Sequence, residues 1–245
     1  MTFDLPNKRK PYLMAHRGNR VACPENTLAA FRRALDDGAD IIETDLHVTA
    51  DGEFVCIHDV TVDRTTDGRG PVAGMTLAQL KTLSASYGRP EFQSERIPTL
   101  AELAVLLPTD VALAIELKTD RFLWPDVVYR LIKQLTALGI RDRTVALSFS
   151  RARIQAVAAA DIPIGWITLS HPWPVRGPQL LGPFWPLLLL NPLYVTLAHR
   201  RGQFVAPLDP TPDRRVSLYV RLGCDAVLSD NPATTADALR RVGAR

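Results

Sequence analysis

The chain has 245 residues, 47% of them hydrophobic and 22% charged, which is enough apolar matter for a full core in one large domain or two small ones, one of α/β-barrel size being expected. A net charge of +3 and a pI near 8.9 are too mild and too mixed for a nucleic-acid footprint, although Arg200, Arg201, Arg214, Arg215 and Arg221 make the C-terminal third locally basic. Cys23, Cys56 and Cys224 are few, widely spaced and odd in number, which excludes a disulfide framework and a CxxC zinc site and points to a reducing compartment.

The first residues, MTFDLPNKRKPYLM, hold a basic KRK but no apolar run of signal-peptide length, so a cytoplasmic protein is expected. Residues 12–16 read as a first strand. Residues 27–37 read as a helix with Leu28, Phe31, Ala34 and Leu35 on one face, stopped by Gly38. Residues 41–48 alternate, with Ile42, Thr44, Leu46 and Val48 on one face and Glu43, Asp45 and His47 on the other, followed by Thr49. An exposed edge strand is the plain reading of that pattern, and a metal site beside a proton carrier is the other. Only Ala50, Asp51 and Gly52 precede the next run, too few for a parallel crossover, so a hairpin is predicted. A tight turn there sets Glu43 opposite His58, with the register open to a slip of one. From Asp36 to Asp67, ten acidic residues face Arg64 alone, a field that favours a cation.

Further strands are predicted at 111–117, 144–149, 164–169, 187–190, 204–206 and 226–229, with helices between them at 100–106, 127–138 and 154–160. This alternation implies a parallel sheet, and about eight strands close most economically as one (β/α)8 TIM barrel. An open doubly wound sheet is the alternative, but no GxGxxG follows the first strand. The apolar run at 180–198 has the length of a membrane span, but Pro183, Pro186 and Pro192 interrupt it. Buried core plus loop is the reading, with interfacial membrane contact as the alternative.

Barrel chemistry gathers where strands end. The first strand ends in AHRG, with His16 and Arg17, and the 111–117 strand in AIELK, with Glu116 and Lys118 two apart. Glu43, Asp45 and Glu116 suit a hard cation, Ca²⁺ or Mg²⁺. His16 and His58 carry protons near neutral pH, and Arg17 and Lys118 supply charge for an oxyanion. Together these describe phosphoryl transfer.

The order HRG (16–18), PENT (24–27), AF (30–31), GAD (38–40), IETD (42–45), TADG (49–52), HD (58–59) and RTTDGRG (64–70) resembles the glycerophosphodiester phosphodiesterase family. IPTLAEL from Ile97, AIELK from Ala114 and SDNP from Ser229 continue the resemblance. It implies a TIM barrel of the phospholipase-C-like phosphodiesterase type, one domain over 1–245 with a small insertion at about 60–96. It also implies metal ligands Glu43, Asp45 and Glu116, catalytic His16 and His58, and phosphate held by Arg17 and Lys118. The expected reaction is metal-dependent hydrolysis of glycerophosphodiesters to sn-glycerol 3-phosphate and an alcohol through a cyclic phosphate. His47 has no motif partner and is expected to line the site.

Ala206, Pro207, Leu208 and Asp209 stand where the family usually reads WTVN, which either removes an aromatic wall and offers a negative charge to the pocket or only turns the chain. Residues 173–185 read as a packed loop, with a mouth loop able to admit a lipid tail as the alternative. A lysophospholipase D or sphingomyelinase-D-like activity on lysolipids, with peripheral membrane contact, is therefore the first alternative. A non-catalytic binding barrel is the alternative of another class.

Overall fold

Alternation with a period of two determines the architecture. In the computed structural model, which describes residue 5 and residues 8–245, nine strands form one sheet. They are β1 (Tyr12–His16), β2 (Ile41–Val48), β3 (Phe54–Cys56), β4 (Ala112–Leu117), β5 (Thr144–Ser148), β6 (Ile164–Thr168), β7 (Leu180–Pro183), β8 (Phe204–Val205) and β9 (Ala226–Ser229). The order β8-β7-β6-β5-β4-β2-β1-β9 is parallel throughout, while β3 hangs off β2 as the antiparallel arm of the predicted hairpin. Asp225 bridges the two ends of this order, its backbone donating to Val205 O at 2.9 Å and its carboxylate accepting from Val205 N at 2.8 Å. The result is a nearly closed (β/α)8 TIM barrel. The leader reading of the N-terminus rests partly on positions outside the described residues.

Successive residues point to opposite sides of the barrel wall. Tyr12, Met14, Ile41, Ala112, Ala114, Val145, Leu147, Ile167, Leu180, Phe204, Ala206, Ala226 and Leu228 fill the interior. The other parity, including Ile42, Leu46, Leu113, Ile115 and Leu117, packs outward onto helices. These helices are α1 (Leu28–Asp36), α2 (Leu77–Thr82), α3 (Leu100–Leu106), α4 (Pro125–Ala137), α5 (Arg151–Ala158), α6 (Pro186–Leu190), α7 (Tyr194–His199), α8 (Val216–Leu222) and α9 (Pro232–Arg241). Their starts follow local chemistry. Thr27 caps α1, Thr76 and Thr99 form capping boxes with Gln79 and Glu102, and proline opens α4, α6 and α9.

Three sequence expectations are corrected. Residues 187–190 are helical, and the strand lies earlier, at β7. Pro186 starts a helix, and Leu187 and Leu188 are buried while Leu189 and Leu190 are exposed, a pairing that suits a helical turn rather than a strand. Residues 173–185 are not a single loop, packed or at the mouth. They contain β7, and Arg201 and Gln203, which precede β8, hold the Pro174 and Pro178 carbonyls at 2.7 and 2.6 Å. In the hairpin, Leu46 pairs with Cys56 and Val48 with Phe54, so the register differs by one from the predicted pairing of Glu43 with His58. Residues 50–52 form a three-residue connection, with Gly52 at a φ of 90°.

Candidate active site

The inward parity that carries apolar residues up each strand ends in polar ones at the mouth. Tyr12 and Met14 lead to His16, Ile41 to Glu43 and Asp45, and Ala112 and Ala114 to Glu116. Register then joins them, since His16 pairs with Glu43 and Asp45 with Glu116. All eight residues of β2 are buried, so it is not an exposed edge. Glu43, Asp45 and Glu116 each offer an oxygen within 4.8 Å of the others.

Burial, together with the charges of Asp45 and Glu116, pushes the Glu43 carboxyl well above the usual range. Burial also raises Glu116, against the pull of Lys118. Asp45 is as deeply buried, but Arg17 and Lys118 outweigh that burial and hold it low. Lys118 Nζ lies 3.0 Å from Glu116 and 3.5 Å from Asp45. Asp45 Oδ1 is nonetheless buried without a hydrogen-bond partner, an arrangement that costs free energy unless a ligand completes it. Three converging carboxylates and an orphaned oxygen fit a hard divalent cation.

The segment after β1 wraps over this cluster. Arg17 and Asn26 adopt left-handed backbone, at φ of 58° and 55°, which is uncommon outside glycine. Bonds into the site hold both. Arg17 N donates to Glu43 O and Oε2, each at 3.0 Å, and its Nε lies 3.1 Å from Asp45 Oδ2. Asn26 Nδ2 donates to Asp45 Oδ2 at 2.9 Å and its Oδ1 accepts from Thr44 Oγ1 at 2.7 Å. Gly18, at a φ of 78°, passes so close to α1 that a Cβ would lie 2.6 Å from Ala30 backbone atoms. Glu25, buried below, binds Arg17, Arg20 and Arg64 at once, at 3.0, 3.0 and 2.7 Å. Those guanidiniums overcome its burial and lower its carboxyl.

Each candidate histidine is backed by a carboxylate. His16 Nδ1 is 2.6 Å from Asp230, and His58 Nδ1 is 2.7 Å from Asp59. This leaves Nε2 as the ring nitrogen facing away from the carboxylate. Burial lowers His58 despite the pull of Asp45 and Asp59. The bond from Arg64 Nε at 2.7 Å, and then His58, hold Asp59 well below the carboxylate range. His47 is buried, pushed down to about 4 by desolvation, and its Nε2 donates to the His58 carbonyl at 3.2 Å.

Every expected site residue thus lies in one region: His16, Arg17, Glu43, Asp45, His58, Glu116 and Lys118. Asp230, Asp59, Glu25, Asn26, Arg20 and Arg64 join them through hydrogen bonds and ion pairs and were not expected there. For all but Arg20 the available signal was a position inside the PENT, HD, RTT and SDNP motifs; Arg20 lies between HRG and PENT and carried none. The expected charge from Asp209 is corrected. It is buried, receives Arg215 at 2.6 and 2.7 Å and the Tyr219 hydroxyl, and Arg215 lies 4.5 Å from the Trp185 ring centre. Its charge is spent on the wall behind the mouth. Beside His16, Glu43 and Glu116 the barrel opens into an apolar cavity of ≈ 40 Å³, lined by Met14, Leu147, Ile167, Ala206 and Leu208 among others.

The chain matches the model of the glycerophosphoryl diester phosphodiesterase family over residues 16–234. It is 35% identical to a glycerophosphodiester phosphodiesterase of Caldanaerobacter subterraneus subsp. tengcongensis, covering 96% of this chain and all of that one. Among solved structures, an Oleispira antarctica phosphodiesterase in complex with the product sn-glycerol-3-phosphate superposes with a TM-score of 0.84 at 27% identity, covering 94% of this chain and 97% of that one. A glycerophosphodiester phosphodiesterase from Agrobacterium tumefaciens gives a TM-score of 0.81 at 26% identity, covering 92% and 99%. The chain belongs to the glycerophosphoryl diester phosphodiesterase family and is an enzyme of it.

Proposed function

We propose that the chain hydrolyses glycerophosphodiesters to sn-glycerol 3-phosphate and an alcohol, using a divalent cation held by Glu43, Asp45 and Glu116. The observation that carries this reading is the pairing of two histidine–carboxylate dyads with a buried three-carboxylate cluster whose Asp45 Oδ1 has no hydrogen-bond partner. A binding barrel needs no second proton carrier, so the dyads weigh against a non-catalytic role. When bound, the ion supplies Lewis-acid stabilisation of charge on the phosphoryl oxygens.

With the carboxylates neutralised, Arg17 and Lys118 are available to the phosphate, Arg17 as a planar fork and Lys118 as a point charge. One histidine takes the proton from the substrate's own 2-hydroxyl as that oxygen bonds to phosphorus. The other gives a proton to the departing alcohol oxygen, leaving a cyclic phosphate. Water then opens the ring with the two roles exchanged. Asp59 and Asp230 keep each imidazole oriented with Nδ1 bonded and Nε2 free to move the proton.

A lysolipid substrate is the second reading, favoured by Phe149, Leu169 and Phe184, the residues that directly follow β5, β6 and β7 and are all exposed. The apolar cavity of ≈ 40 Å³ is too small for an acyl chain, so a tail would lie along this rim. Purified protein with Ca²⁺ or Mg²⁺, assayed on glycerophosphocholine, glycerophosphoethanolamine and lysophosphatidylcholine, tests both readings. Turnover of the first two supports the main reading, turnover of the third alone supports the second, and none at all removes both.

A further inference from the structure

Residues 162–208 contain no aspartate or glutamate, where a chain with 26 acidic residues in 245 would place about five. Arg176, Arg200 and Arg201 lie in that stretch and all are exposed. The same stretch leaves Leu169 59%, Trp173 57%, Leu189 53%, Leu190 75% and Leu193 62% accessible. Hydrogen bonds bring these residues to one flank. The buried Asn191 side chain donates to Pro172 O at 2.8 Å and accepts from Leu193 N at 3.2 Å, setting Trp173 beside the turn between α6 and α7. Arg201 donates to Pro174 O at 2.7 Å, on the other side of Trp173. Leu169 and Phe184 carry the apolar surface up to the mouth, where Phe184 N bonds Thr168 O at 2.8 Å.

We propose that this flank docks on the surface of a bilayer containing anionic phospholipid, with Trp173, Leu189, Leu190 and Leu193 in the interface and the three arginines at phosphate level. Charge chooses this occupant. A second copy seated symmetrically on the flank would face arginine with arginine and find no carboxylate there, whereas anionic headgroups complement it. Tryptophan and leucine flanked by arginine suit the boundary between acyl chains and headgroups. Among the described residues no helix is long and apolar enough to cross a membrane, so the contact is peripheral, reversible and sensitive to salt. The docking does not depend on which diester is cleaved.

The test is co-sedimentation of the full chain with vesicles of phosphatidylcholine alone or with about a third phosphatidylglycerol, at low and high salt. Binding to the anionic vesicles, weakened by salt, is expected, with a blue shift of tryptophan fluorescence that Trp173→Ala reduces. Leu190→Glu/Leu193→Glu should weaken binding by at least about tenfold while turnover of soluble glycerophosphocholine stays at the wild-type level. Arg200→Glu/Arg201→Glu should remove the preference for anionic lipid. Failure to bind either vesicle overturns the proposal, as does unchanged binding by the leucine variant. Concentration-dependent dimerisation that the leucine variant abolishes overturns it too, by assigning the flank to a second copy.

Discussion

Adding Ca²⁺ or Mg²⁺ to chelator-treated protein perturbs the three-carboxylate cluster most directly. Charges 4.8 Å apart repel by about 3 to 4 kcal/mol at an effective dielectric constant near 20, and each carboxylate here has two such neighbours. Arg17 and Lys118 offset part of this, but Asp45 Oδ1 keeps no hydrogen-bond partner. A cation that binds the folded chain alone, at about 100 times its Kd, adds about 2.7 kcal/mol of stability. For a domain of this size that raises Tm by about 5 to 10 °C. The assay is thermal unfolding followed by circular dichroism across a cation titration, with Na⁺ at matched ionic strength as control. Glu43→Gln keeps the shape and removes one ligand charge, so it should lose most of the shift while its cation-free Tm equals or exceeds that of the wild type. No cation-dependent shift, or a full shift in Glu43→Gln, would refute the assignment of these residues to a metal.

Asp230→Asn should lower kcat by about 10²- to 10⁴-fold with little change in KM, because Asp230 positions His16 rather than binding substrate. Asp230→Glu should recover part of the rate, and a loss expressed mainly in KM would contradict the positioning role. Asp59, held low by Arg64 and His58, contributes stability that is fully present above the unfolded carboxylate value near 4 and is lost as pH falls through its native value. Denaturant titrations below about pH 4 should therefore give Asp59→Asn a shallower loss of stability with acid than the wild type. Asp209→Ala should cost about 2 to 3 kcal/mol by stranding Arg215 and Tyr219, measured by chemical denaturation, with substrate preference unchanged. A changed preference would return Asp209 to the pocket.

What the sequence made legible is what period and short range control. The alternation from Ile41 to Val48 announces that Glu43 and Asp45 share a face, and strand ends alone predict that Glu116 and His16 join them. The run from Leu187 to Leu190 carries no alternation, so nothing local separates a buried strand from a helix there. Pro186 was the cue that favoured the helix. His16 and Asp230 are 214 residues apart, and Asp225 meets Val205 only because the barrel closes between them. Such pairs follow from closure rather than from spacing. Asp209 failed differently, because its partner Arg215 lies six residues away and turns a pocket charge into an internal ion pair.

Cation-dependent diester hydrolysis by the His16 and His58 dyads is reached by one assay: release of sn-glycerol 3-phosphate from glycerophosphocholine, with cation and with chelator, for the wild type, His16→Ala and His58→Ala. Turnover by the wild type with cation is expected, with loss on chelation, recovery on adding cation back, and loss of at least about 10²-fold in either variant. Turnover that survives chelation, or wild-type rates in both histidine variants, would contradict it.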